Sequence, residues 1–176
     1  MKYYGIYTKN AAKALKVERV TVQQVDRDIY ICTGYVLFKC TMEDYDAIFR
    51  PVLKRDPGYW TIDGTGTHDG GPDLPGIFEK FAAVDGLQEI QETPVHFQKQ
   101  GKETVAFWSG SWATLFNPIF AGSFDSCTFW AAGPKSGAVV KFNGEAVGIV
   151  MPVNISEAET RAVRAFVGEE AATVAA

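Results

Sequence analysis

ERVTVQQV (residues 18–25) and DIYICTGYVLFKC (residues 28–40) are the stretches whose reading decides the fold class. Both are dense in β-branched and aromatic residues, which suit a pleated, half-buried surface. They read as two strands joined at Asp26-Arg27-Asp28, with a break or bend at Thr33-Gly34. Just downstream, TMEDYDAIFRPVL has the grammar of a helix. Thr41 is a good N-cap, Glu43 and Asp44 favour the positive end of the helix dipole, and Tyr45, Ile48, Phe49 and Val52 form an apolar stripe. Pro51 falls in its last turn. Upstream, residues 2–7 (KYYGIY) read as a short strand. Thr8 or Asn10 then caps a helix to about Val17, which sets Lys9, Lys13 and Lys16 on one face.

The same alternation of strand and short helix continues to the end. Tyr59–Ile62 reads as a short strand. Residues 63–76, DGTGTHDGGPDLPG, are rich in Gly and Pro and read as a solvated loop. Phe78–Val84 suggests a helix. VHFQKQ and TVAFWSG flank a hairpin at Gly101-Lys102, and a helical stretch lies near Pro118–Phe124. Strands at 126–131, 137–142 and 146–153 follow, the last two joined at Asn143-Gly144, the strongest short hairpin signal. From Ser156 to Gly168 an S-x-x-E capping box opens a C-terminal helix with Val163, Phe166 and Val167 on one edge, and residues 169–176 read as a frayed tail.

Composition bounds the function classes. The 176 residues fit one domain, with 47% hydrophobic and 22% charged residues, an ordinary globular balance. The rings of twelve Phe, seven Tyr and four Trp supply much of a core, each removing about 150–250 Å² from water when buried. A net charge of −4 gives no global pull towards nucleic acid. Three cysteines, Cys32, Cys40 and Cys127, without a C-x-x-C pair argue against a disulfide framework or structural zinc and read as buried free thiols of a cytoplasmic protein. No apolar run reaches the ~20 residues of a membrane span, and no signal peptide is evident at the N-terminus.

No constellation reads as catalytic, and neither a metal nor a cofactor is expected. The Gly-rich stretch spaces its glycines G-x-G-x-x-x-G, which misses the dinucleotide pattern, and it lacks the Lys and Ser/Thr of a phosphate-binding loop. Asp63, His68, Asp69 and Asp73 are oxygen- and nitrogen-bearing, yet their spacing is not that of a calcium hand. Gly110-Ser111 lies in a Ser-Gly-Ser-Trp turn rather than a nucleophile elbow. His96 reads as a side chain on a sheet face, and the aromatic run Ala106–Trp112 as core and turn packing. A small-ligand-binding protein or enzyme built on residues 63–76, and a phage or mobile-element structural protein, are the alternative functions.

The stretch from Leu115 to Ile155, LFNPIFAGSFDSCTFWAAGPKSGAVVKFNGEAVGIVMPVNI, resembles the end of the bacterial DNA polymerase sliding clamp. That family ends on an apolar strand and an M-P-x-R-hydrophobic signature. Here it reads Gly148-Ile149-Val150-Met151-Pro152-Val153-Asn154-Ile155, with Asn154 where the arginine is expected. The stretch VERVTVQQVDRDIYICTGYVLFKC resembles the strand-turn-strand of a clamp repeat. The resemblance implies an α+β, DNA-clamp-like fold over residues 1–155. Two β-α-β-β-β repeats, about Lys2–Ile62 and Val95–Val153, would form antiparallel sheets with short helices, with an insertion around 41–94 and a C-terminal helix over 156–176. It implies a non-enzymatic processivity or recruitment factor of DNA replication or repair. Ile149, Met151 and Pro152 would line an apolar groove for a polymerase-type peptide or another replication protein. Lys9, Lys13 and Lys16 would face DNA, weakly, because few phosphates are neutralised. It also implies an oligomer.

Overall fold

The computed structural model describes residues 9, 11–12, 15–89, 127–132 and 137–151, and the backbone of 91–92, 97–100 and 104–107. The chain is α+β, mostly one antiparallel sheet with few, short helices. β1 (Val20–Val25), β2 (Asp28–Cys32) and β3 (Val36–Thr41) form a meander. The expected bend at Thr33-Gly34 is a complete reversal, so the stretch 28–40 is two strands, not one. Gly34 takes φ +85°, the left-handed region open to glycine, and the Thr33 N–H donates to the Val36 carbonyl at 3.0 Å. β4 (Tyr59–Asp63) adds beside β1, and β5 (Gly66–Asp69) beside β4.

At the other end, β10 (Thr128–Ala131), β11 (Ala138–Phe142) and β12 (Glu145–Val150) form a second meander, edged by β6 (Gln88–Glu89). Asn143 and Gly144 both take positive φ, 52° and 83°, as a two-residue hairpin of the expected type requires. The meanders join along β3 and β12, with Leu37 opposite Ile149. The strand order is β5-β4-β1-β2-β3-β12-β11-β10-β6. β7 (Gln91–Glu92), β8 (Phe97–Gln100) and β9 (Thr104–Phe107) form a separate antiparallel sheet, with β8 and β9 in the expected hairpin.

Alternation sends side chains to two faces. Val20, Val22, Ile29, Ile31, Val36, Phe38, Phe129 and Val140 build the main core on one face. Ala11 and Leu15 pack there, as does a helix, α1, that runs from α (Met42–Asp44) through π (Tyr45–Phe49) to α (Arg50–Leu53). Thr41 caps α1 as expected: its Oγ1 accepts from the Asp44 N–H at 3.2 Å, and the Asp44 carboxylate accepts from the Thr41 N–H. Pro51 accounts for the widened middle. A proline nitrogen donates no hydrogen bond and its ring crowds the carbonyl four residues back; the wider turn, closed by Arg50 N–H to Tyr45 O, relieves both.

The second face carries a smaller core of Tyr30, Leu37, Leu74, Phe78 and Ile149 under α2 (Leu74–Ala82). Helix α2 begins four residues before the expected Phe78. Asp73 is the reason: its carboxylate accepts from the Gly76 N–H, and Pro75 occupies a first-turn position where no donor is needed.

Residues 63–76 are therefore exposed over most of their length, as expected, but are not an irregular loop. They comprise the β4–β5 turn, β5, a crossing segment 70–73 and the start of α2. The crossing segment lies on Thr21 and Thr61, both buried and joined by a 2.9 Å hydrogen bond between their hydroxyls. The Thr61 hydroxyl also donates to Gly70 O at 2.8 Å, and Gln23 Oε1 accepts from Leu74 N–H at 2.8 Å. Polar residues on this face of β1 and β4 thus bond backbone that would otherwise be unpaired. Among the described residues no helix is long and apolar enough to cross a membrane.

Candidate binding surface

Ile149, Met151 and Pro152 were expected to line an apolar groove, and the two that the structure describes differ sharply in exposure. Ile149 is 1% exposed, packed with Leu37, Leu74 and Phe78 beneath α2, so it cannot contact a ligand on the surface. Its burial follows from the seam: β12 is an interior strand, with β3 on one side and β11 on the other. Met151, at the end of β12, is 38% exposed. Pro152 lies outside the described residues.

Met151 has a neighbour that sequence reading missed. Its N–H donates to the carbonyl of Tyr35 at 2.8 Å, continuing the β3–β12 ladder one step. Tyr35, in the β2–β3 turn, is 58% exposed. Two large, partly apolar side chains therefore stand side by side where the two meanders meet. The signal available in the sequence was the T-G-Y triplet: an aromatic next to a turn glycine is carried to the surface.

Beside Tyr35 opens a cleft of about 650 Å³. Thr21 and Cys32, paired across β1 and β2, are among its lining residues, with residues 17–19 leading into β1, the turn 33–35, and Pro72 of the crossing segment. This is within the usual size of a ligand pocket, roughly 300–1,000 Å³. The Cys32 thiol is held above its ordinary pKa by burial, against the opposing pull of the Gly34 N–H, which donates to Sγ at 3.4 Å, and of the Arg19 charge. Cys40 and Cys127 are buried and in no disulfide, as expected, and both thiols are raised by burial, Cys127 to about 11; Cys32 is only half-buried.

Of the lysines expected to face DNA, Lys9 and Lys16 are exposed, on the outside of the segment whose Ala11 and Leu15 enter the core, and Lys13 lies outside the described residues. The Gly-rich stretch brings together Asp63, Thr65 and His68. Asp63 Oδ1 accepts from the Thr65 N–H at 2.9 Å and from its hydroxyl at 2.7 Å. His68 Nε2 lies 2.8 Å from Thr65 Oγ1 and 3.2 Å from Asp63 Oδ1. A nucleophilic triad would need the imidazole to take the hydroxyl proton and the carboxylate to hold the other ring nitrogen. Here the carboxylate itself accepts the hydroxyl's hydrogen bond, so the cluster is arranged to lock the β4–β5 turn. The Thr65 hydrogen bonds hold the Asp63 carboxyl at about 2. Among the described residues no three His, Cys, Asp or Glu side chains converge on a metal position.

Compared with protein families, with characterised proteins and with solved structures, the chain matches none.

Proposed function

We propose that this chain is a non-enzymatic binding module of the sliding-clamp type, which recruits proteins of DNA replication or repair through short peptides laid across Met151 and Tyr35. The observation that carries the reading is the pairing of these two exposed side chains, bonded through their backbones at the seam of the sheet and adjoining a cleft. Methionine adapts to varied apolar partners, and tyrosine offers a rigid ring with a polar tip, a combination suited to peptide capture. The strand order supports a repeat of two meanders, since β1-β2-β3 and β10-β11-β12 run inward to a common antiparallel seam. In this reading β4, β5, α1 and α2 are the insertion, extending one edge and covering part of each face. Lys9 and Lys16 give DNA a small electrostatic foothold, one that weakens steeply with salt.

The small-ligand alternative draws on Pro72, which the Gly-rich stretch contributes to the cleft. Most of that stretch is otherwise committed to the hairpin and the crossing segment, so the peptide reading is preferred.

The test is binding of fluorescent peptides to the full chain and to Met151→Asp. Because Met151 is at the surface, the variant keeps its fold, while a carboxylate desolvated by an apolar peptide lowers affinity by about tenfold or more. Peptide binding that ignores both Met151→Asp and Tyr35→Ala would place the contact elsewhere and overturn the assignment.

A further inference from the structure

Arg19 and the cleft beside Tyr35 define a preference that the peptide-binding reading does not by itself contain. Arg19 is exposed, lines the cleft and makes no ion pair among the described residues. Arg19 shares that lining with Cys32, Thr33 and Tyr35. Cys32, Pro72 and Tyr35 supply the apolar part of the lining, with Val17. The hydroxyl of Thr33 is already used, accepting from the Val36 N–H at 3.3 Å, and Thr21 is bonded to Thr61, so neither calls for a polar ligand atom.

We infer that the cleft is a specificity pocket for a partner peptide in which an acidic residue adjoins an apolar one, the carboxylate pairing with Arg19 and the apolar side chain seated between Cys32, Pro72 and Tyr35. Charge complementarity selects this occupant: a guanidinium with no carboxylate partner among the described residues offers a fork of donors matched to one. Glu18, also on the lining, disfavours a second acidic residue in the same segment. Volume agrees, since 650 Å³ holds two adjacent side chains with room for water. The inference rests on the proposed peptide-binding function and adds the chemistry of the peptide.

The experiment is an array of blocked ten-residue peptides carrying every central dipeptide, probed with the full chain. Solution affinities are then measured for the best binder and its Asp→Asn counterpart, against native protein and Arg19→Glu. Expected is a winning set of acidic–apolar dipeptides, a loss of about three- to tenfold on Asp→Asn, and with Arg19→Glu a reversal of that preference towards lysine. Bound peptide should also slow alkylation of Cys32 by iodoacetamide, and not of the buried Cys40 and Cys127. Peptides that bind and depend on Met151, with an acidic preference absent or untouched by Arg19→Glu, would overturn this inference and leave the peptide-binding function standing. An array with no binder at all would overturn both.

Discussion

At the scale of single residues, the hydrogen-bonded turn at Asp63 makes a pH prediction with a definite sign. Its carboxyl is held at about 2, first by the Thr65 hydroxyl and backbone N–H and then by His68. An unfolded-chain aspartate titrates near ~3.9. The folded value is the lower one, so the turn's contribution is fully present above about 4 and is lost as pH falls through about 2. In an NMR titration the Thr65 amide should follow a midpoint near 2, and in Asp63→Asn that step should vanish. A midpoint near 4 would mean that the carboxylate does not hold the turn. Residues of this kind were half legible in advance. Asp63, His68 and the three cysteines were singled out by type, and two of the thiols are buried as their type favours. What type cannot give is cover: Ile149 and Met151, two residues apart on one ladder, point to the same face, yet one is sealed beneath α2 and the other is 38% exposed. The bulge that skips Val147 in the β11–β12 register moves Ala146 and Val147 to opposite clusters, a parity change invisible in a string of apolar letters.

At the scale of elements, the segment from Gly70 to Asp73 shows how a Gly-rich stretch can be structural. Its close approach to the sheet depends on Gly71, where an added Cβ would lie 2.7 Å from Thr21 Cγ2 and 2.7 Å from Thr61 Oγ1. Both are side chains of buried strand residues with little room to retreat. Gly71→Ala should therefore cost about 1–3 kcal/mol, lowering the melting temperature by roughly 2–4 °C for each kcal/mol in a chain of this size. Gly64→Ala, at a position with open space around it, is the matched control. Equal melting of the two variants would show that the crossing segment yields freely. The hairpin at Asn143-Gly144 and the cap at Thr41 were readable because each is a local rule satisfied by neighbours in sequence. Residues 63–76 were misread because their order comes from β1. Gln23, which bonds the Leu74 N–H, and Thr21, on which Gly71 packs, are distant in sequence, and nothing near the glycines announces them.

At the scale of the whole molecule, the proposed function makes a prediction about mass. Strand pairing gives two meanders meeting at one seam, with β5 at one edge of the large sheet and β6 at the other. The seam joins β3 to β12, two strands far apart in sequence, so it is the feature least accessible to local reading; only the hydrophobic density of both hinted that they were interior strands. If each meander belongs to a β-α-β-β-β unit, the chain holds two such units. A clamp ring is built from twelve, so about six copies would be needed to close one. Light scattering on the eluting full chain, at several concentrations and at low and moderate salt, measures this directly. A hexamer would mean that the two different edges meet in a closing, head-to-tail contact, and that Lys9 and Lys16 recur often enough for their small positive charge to add up around a duplex. A monomer or dimer would exclude a ring encircling DNA and leave the surface at Met151 and Tyr35 as the module's working part, because a peptide laid across those two side chains needs no second copy of the chain.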